Sequence, residues 1–185
     1  MNKLVISIAT HKSYEFPNDQ NYLPIQVGKA ISKNDLKLQG DDLGDNISSL
    51  NKYFCELTAH YWIWKNVKSD IYGLCHYRRY FSPVKQKLIK VKNKSILNSN
   101  EASILLSEFD IILPKKRNYF IETIIQHYCN GHNKGDLDCL EYVLMEFYPD
   151  YLDSYKKIFN SRSISLYNMF IMKKKIILRI QRMVI

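Results

Sequence analysis

The densest chemistry in the sequence is His76-Tyr77-Arg78-Arg79-Tyr80, where an apolar run over residues 71–77 ends. Adjacent guanidinium groups offer forked, charge-assisted hydrogen bonds to phosphate and need no metal to do so. At the end of a buried strand they would stand where a diphosphate can sit. The competing reading pairs one arginine with a local carboxylate and makes His76 a satisfied interior residue. A second concentration is Asp41-Asp42-Leu43-Gly44-Asp45-Asn46-Ile47-Ser48, three carboxylates and an amide in one loop. Such a set reads ribose hydroxyls or a uracil edge, or binds a metal through oxygen. It serves equally as an Asx-rich turn that caps the next helix.

His127, His132, Asp136 and Asp138 form a further polar cluster. Asp136-Leu137-Asp138 spells the D-x-D pattern of metal-dependent sugar transferases, yet it falls at a helix start, where acids suit the positive end of the helix dipole. Glu56 and His60 invite a metal reading, but no HExxH is present. Nor is there a P-loop, a GxGxxG or a GxSxG, which leaves kinase, dehydrogenase and serine hydrolase readings unsupported.

The elements that must position these groups follow from hydrophobic periodicity. Residues 4–9 and 71–77 read as buried strands, with shorter strands at 109–113 and 168–172. Residues 12–50 are rich in Pro, Asn, Asp and Gly and read as one long ordered loop. A helix over 51–66 places Phe54, Leu57, Tyr61 and Trp64 at spacings of three and four. Further helices are expected at 101–107, 120–129, 136–148 and 151–159. Asp136 is the expected N-cap of the helix over 136–148, with Leu137, Leu140, Val143, Leu144 and Phe147 as its apolar stripe. Strands alternating with helices give an α/β layered sheet, and ligands of such sheets bind at the carboxyl ends of the strands. That rule singles out Thr10-His11, residues 76–80, residues 114–118 and the surroundings of Asn168.

A chain of 185 residues with 46% hydrophobic content suits one domain with a real core. Its 14 Tyr and 8 Phe against 6 Gly are the unusual feature. Tyrosine joins an apolar ring to a polar tip and suits sugar or base contacts, although a biased composition would enrich it as well. The net charge of +9 is concentrated. Residues 173–185 carry five cations and residues 85–94 five lysines (Lys85, Lys87, Lys90, Lys92, Lys94), with no acid in either segment. The remainder is near neutral. Basic residues confined to a loop and a tail argue against nucleic acid and suit an anionic membrane surface or plain solubility. Cys55, Cys75, Cys129 and Cys139 show no CxxC spacing and read as reduced core residues. The first residues lack a signal-peptide cleavage site, and no apolar stretch reaches the roughly 18 residues of a membrane span. A cytoplasmic location is expected, with contact at the inner face of the plasma membrane left open.

Several pieces together resemble a family of proteins from bacterial capsule and lipopolysaccharide gene clusters, a domain of unknown function regarded as glycosyltransferases. They are Ala9-Thr10-His11-Lys12, Pro24-Ile25-Gln26-Val27-Gly28, Asp45-Asn46-Ile47-Ser48 and Cys55-Glu56-Leu57-Thr58-Ala59. Tyr61-Trp62-Ile63-Trp64-Lys65-Asn66 and Gly73-Leu74-Cys75-His76-Tyr77-Arg78-Arg79-Tyr80-Phe81 continue the match. Leu113-Pro114-Lys115-Lys116-Arg117 and Leu166-Tyr167-Asn168-Met169-Phe170-Ile171-Met172 complete it. The resemblance implies a single-domain, GT-A-like nucleotide-binding sandwich with a mostly parallel central sheet over residues 1–174. It also implies a UDP-sugar donor and a saccharide or lipid-linked acceptor, in surface polysaccharide synthesis.

On that resemblance Thr10 and His11 lie near the nucleotide, Asp45, Asn46 and Glu56 near base or ribose, and Arg78 and Arg79 on the diphosphate. His76 and Asp45 join the arginines in catalysis, and a base, where needed, comes from Asp41, Asp45, Glu56 or His76. Asn118, His127, His132, Asp136 and Asn168 are the acceptor or sugar contacts. GT-A enzymes end the equivalent strand in a metal-binding D-x-D. Here His76-Tyr77-Arg78-Arg79 stands there instead, which leaves a need for Mn²⁺ or Mg²⁺ open. Residues 175–185 replace the acidic amphipathic helices that usually follow, like a truncated or frameshifted end, so a non-catalytic nucleotide-sugar-binding partner is the rival reading. The tail itself is expected to add little to the core and to lie on anionic lipid; the rival is a final helix docked through its isoleucines.

Overall fold

A computed structural model describes residues 3–85 and 88–184. Lys87 of the lysine-rich stretch and Ile185 of the tail lie outside the described residues. In chain order the elements are β1 (Leu4–Thr10), β2 (Tyr22–Gln26), β3 (Gln39–Gly40), α1 (Asn51–Phe54), α2 (Leu57–Asn66) and β4 (Ile71–His76). There follow β5 (Ile89–Val91), β6 (Lys94–Ile96), α3 (Ser99–Glu108), β7 (Ile111–Ile112) and β8 (Arg117–Asn118). The chain ends with α4 (Ile124–Cys129), α5 (Lys134–Phe147), α6 (Leu152–Phe159), β9 (Ser163–Ile164), β10 (Phe170–Lys173) and α7 (Lys174–Val184). Where the sequence reads as one body over 1–174, the chain forms two compact units. The first runs to Leu113 and resumes at Asn168–Val184, and the second is Pro114–Tyr167.

The first unit is built on a six-stranded sheet in the order β3-β2-β1-β4-β10-β7. β1 is parallel to β2 and to β4, β2 is parallel to β3, and β10 is antiparallel to both β4 and β7. Only β10 therefore runs against the rest, as expected of a mostly parallel α/β sheet. Both faces are covered, so the strands are apolar at nearly every position. Leu4, Ile6 and Ile8 of β1, Ile71 and Cys75 of β4, and Ile171 of β10 face a core shared with Ala102 and Leu106 of α3. Their alternates Val5, Ala9, Tyr72, Leu74, Phe170 and Met172 face a second core with Ala59, Trp62 and Ile63 of α2. Gly73 sits where a Cβ would meet Ile6 and Ile171 at 3.0–3.2 Å, so a side chain in the middle of β4 would require its neighbours to give way by a few tenths of an ångström.

Several expectations need correcting. The long loop contains β2, which Pro24 disguises. Ile6 N donates to Asn21 O and Val27 N to Thr10 O, so the odd-numbered residues of β2 bond to β1. The missing N–H of Pro24 therefore faces the β3 side, where pairing begins only at Ile25. The helix over 51–66 is split because Cys55 adopts φ 49, pinned by Asn51 Nδ2 donating to Cys55 O at 2.6 Å. The lysine-rich stretch is a β5–β6 hairpin whose turn residues Lys92 and Asn93 both have positive φ, the geometry a two-residue hairpin wants.

The largest correction concerns the tail. α7 is part of the core: Ile177 is fully buried, and Ile176 and Ile180 pack against Trp62, Leu74 and their neighbours. The crowded isoleucines at 176, 177 and 180 share one helical face, which is why they dock. Lys173 and Lys175 reach Asp110 at 2.8 and 2.9 Å, and their hydrogen bonds hold that carboxyl down at about 2.

The second unit joins α4, α5 and α6 to the β8–β9 ladder. Ile124, Leu137, Leu144 and Tyr155 are buried, and Tyr155 OH donates to Leu137 O at 3.3 Å. The stripe expected on α5 is only partly covered, since Leu140 and Phe147 are exposed. Asn133, not Asp136, caps α5, accepting from Gly135 N at 3.0 Å. No helix among the described residues is long and apolar enough to cross a membrane.

Candidate functional site

β1 connects to β2 on one side while β4 lies on its other side, so the carboxyl ends of β1 and β4 flank the switch point of the sheet. β1 ends at Thr10, whose buried hydroxyl donates to Lys12 O at 2.6 Å and accepts from Lys12 N at 3.2 Å. Thr10 thus shapes the turn that presents His11. β4 ends in a tight turn: His76 N donates to Arg79 O at 3.2 Å and Arg79 N to His76 O at 2.9 Å, with Tyr77-Arg78 at the tip.

Tyr77 organises this end. Its ring is buried in the core, and the rings of His11 and Tyr14 stand edge-on to it at 5.3 and 5.2 Å. The Arg78 guanidinium lies over its face at 5.1 Å. One anchored ring therefore gathers an imidazole from β1 and a guanidinium from β4. Partial burial first, then the charges of Lys12 and Arg78, push the His11 pKa below its ordinary value. In its neutral form this imidazole offers one donor and one acceptor. Among the described residues Arg78 makes no ion pair with a carboxylate.

Glu56 adjoins the same edge from the start of α2. Its Oε1 accepts from Asn168 Nδ2 at 2.9 Å and lies 4.0 Å from His76 Nε2. The positive end of the helix favours the carboxylate there. Asn168 enters β10 with φ 52, after Tyr167 at φ 77, a conformation that bulky side chains avoid. The structure thus gathers His76, Glu56 and Asn168, as well as His11 with Arg78.

Asp45 and Asn46 belong elsewhere. Asp45 accepts from Tyr61 OH at 2.8 Å, pairs with Lys65 at 3.4 Å, and its main chain bonds to Asn66. Those partners occupy the second half of α2, and Asn66 lies about 15 Å along the helix from Glu56. Asn46 Nδ2 donates to Asp42 O and Gly44 O, while its Oδ1 accepts from Ser48 N. This is the Asx turn of the two readings left open. Asp41 is buried too, accepting from Gly28 N at 2.9 Å, from Lys29 N at 3.1 Å and from Ser48 Oγ. Gly28 takes φ 62 to make that approach. Asp41 staples loops and is not placed to act as a base.

The second unit carries a cavity of about 550 Å³ lined by Tyr119, His127, Tyr128, Asn130, His132 and Phe159, among others. The rings of Tyr119 and His127 lie 4.0 Å apart and those of Tyr128 and His132 4.7 Å apart, tilted by 33° and 30°. Glu122 bridges His127 Nδ1 at 3.1 Å and Asn130 Nδ2 at 3.0 Å. Tyr128 OH donates to Asp136 Oδ2 at 3.2 Å. His127, His132 and, through Tyr128, Asp136 are therefore brought together. Asn118 is not: its Oδ1 accepts from Phe120 N at 2.8 Å within a turn. Sequence reasoning missed Tyr119, Tyr128 and Glu122. The signal was Ile124, His127 and Tyr128 at helical spacing behind the Thr123–Gln126 capping box. Among the described residues no three His, Cys, Asp or Glu side chains are gathered as a metal site requires.

The chain is 31% identical to the apo structure of the WbbM bifunctional glycosyltransferase, with a TM-score of 0.88. The match covers 98% of this chain and 36% of that one, so the sequence spans about a third of the larger protein. The sheet and its helices thus have a glycosyltransferase fold. No curated protein sequence matches the chain. Residues 5–183 match the family described as a domain of unknown function, DUF4422, and the chain belongs to that family.

Proposed function

We propose that the chain transfers a hexose from a UDP-sugar to a saccharide or lipid-linked acceptor in surface polysaccharide synthesis. The observation that carries this is the meeting of His11 and Arg78 against Tyr77 at the switch point of the sheet. Arg78 and Arg79 take the donor diphosphate, and His11 lines the nucleotide beside the turn that Thr10 holds. As the bond from the anomeric carbon to the diphosphate breaks, its electron pair passes to the diphosphate oxygen. Cations fixed beside that oxygen stabilise the charge as it develops. The acceptor hydroxyl oxygen bonds to the anomeric carbon, and its proton passes to a base. His76 or Glu56 is nominated: Asn168 holds the Glu56 carboxylate, and His76 Nε2 lies 4.0 Å from it.

The residues at this strand end do not fit a divalent metal. Mg²⁺ and Mn²⁺ favour oxygen ligands. This end offers guanidinium groups, imidazoles and two separate carboxylates, Glu56 bonded to Asn168 and Glu15 accepting from Lys92 N. No three acidic, histidine or cysteine side chains are gathered among the described residues. No step is routed through a metal. The aromatic cavity with His127, His132 and Asp136 is assigned to sugar or acceptor contact, where tyrosine faces suit the apolar side of a pyranose. A thermal-shift screen against UDP, GDP and CMP with their sugars, with and without Mn²⁺, tests the reading. Uridine nucleotides should raise the melting temperature most, with no need for metal. No shift with any nucleotide at millimolar concentration would refute it.

A further inference from the structure

The turn between β8 and α4 spends backbone strain on exposing two apolar side chains. Phe120, at φ 57, is 76% exposed and Ile121 is 86% exposed. A bulky L residue avoids that backbone region, whereas glycine occupies it freely. The turn is nevertheless firmly made. Phe120 N donates to Asn118 Oδ1 at 2.8 Å, and Ile121 N to Tyr119 O at 2.7 Å. Exposed cations flank the tip in sequence and across the ladder. Lys115, Lys116 and Arg117 precede it, and Arg162 joins across the ladder, where Tyr119 N donates to Arg162 O at 2.8 Å. No acid occurs from Pro114 to Ile121, and the nearest one in sequence, Glu122, is engaged by His127 and Asn130. The acids of this unit otherwise lie on α5 and the segment through α6, so its positive end is a matter of placement, not of net charge.

We infer that this turn docks on an anionic lipid surface. Phe120 and Ile121 enter the boundary between headgroups and acyl chains, while Lys115, Lys116, Arg117 and Arg162 meet lipid phosphates. Two side chains are far too little for a stable protein interface, which needs roughly 800 Å² per partner. They suffice for a bilayer when cations flank them. The isoleucines of α7 are engaged otherwise: Ile177 is buried, and Ile176 and Ile180 pack against the core of the first unit. The inference is independent of the proposed transfer reaction.

Co-sedimentation of the full chain with phosphatidylcholine vesicles, with and without phosphatidylglycerol, tests it. Binding should require phosphatidylglycerol and weaken with salt. Phe120→Gly relieves the backbone, so it should melt at or above the wild-type temperature while losing about tenfold in vesicle binding. Joint reversal by Lys115→Glu and Lys116→Glu should keep the melting temperature and cost more than about tenfold. Wild-type binding that is absent, or equal on neutral vesicles, overturns the inference, as does Phe120→Gly binding like wild type. Lipid-free self-association abolished by Phe120→Gly also overturns it, and assigns the tip to a second copy of this chain.

Discussion

The two units hold their polar groups in different ways. In the first, a sheet covered on both faces buries Ile6, Ile8, Leu74 and Ile171 completely, and the working side chains project from strand ends that cannot shift without the core. In the second, the helices bury few residues, and Leu140, Tyr142, Met145 and Phe147 of α5 remain exposed. Its polar groups are held by stacking and by side-chain hydrogen bonds instead. On the proposed reading, charge that would meet a diphosphate at a fixed point sits on the rigid framework, and the rings that would accommodate a sugar sit on the softer one. The difference in burial carries a difference in cost when each is disturbed.

Removing core atoms under the sheet tests that contrast most severely. Ile177→Ala should lower unfolding free energy by about 3–4 kcal/mol, whereas Leu140→Ala on exposed α5 should stay within about 0.5 kcal/mol, both read by denaturant melts. Equal effects would erase the distinction. A second test uses His60, buried edge-on to Phe170 in the first unit. Burial lowers its pKa to about 4 from 6.5. Above pH 6.5 it is neutral in both folded and unfolded chains, and its contribution to stability is fully present. As pH falls from 6.5 towards 4 the unfolded chain binds the proton first, so stability drops, by up to about 3 kcal/mol. His60→Leu should flatten that window in melts run across pH.

Ligand binding separates the units further. Arg78→Ala should weaken UDP by ten- to a hundredfold, about 1.5–3 kcal/mol. Joint removal of the Asp136 and Asp138 carboxylates should leave UDP affinity unchanged and cost up to about 1 kcal/mol of stability at the start of α5. Calorimetry that finds donor binding lost only in the aspartate variant, with a metal requirement, reverses these roles. The mildest change expected is Tyr128→Ala, which should weaken saccharide binding by about 1 kcal/mol while sparing UDP.

Legibility followed the same divide. β1 and β4 announced themselves because strands covered on both faces are apolar throughout, and the strand-end rule then led from residues 71–77 to His76, Arg78 and His11. β2 was hidden by Pro24, whose missing N–H costs nothing on the side that β3 has not yet reached. Asp45 and Asn46 left two readings open because a carboxylate beside an amide looks the same whether it reads a ribose or belongs to an Asx turn; the bonds of Asp45 to Tyr61, Lys65 and Asn66, and of Asn46 to Ser48 N, form only in the fold. The isoleucines of α7 looked too crowded for a helix, yet 176, 177 and 180 share a face once the helix forms. Tyr119 carries no periodic signal, and the helical spacing of Tyr128 with Ile124 and His127 marks a helix face without telling a pocket wall from ordinary core.

The most direct measurement is calorimetric titration of UDP and of uridine into the wild-type chain and Arg78→Ala, all in chelator. If the arginine turn holds the diphosphate without metal, UDP should bind wild type ten- to a hundredfold tighter than uridine does, and Arg78→Ala should remove most of that difference. Equal affinities for UDP and uridine, or UDP binding that needs Mn²⁺ and ignores Arg78→Ala, would contradict it.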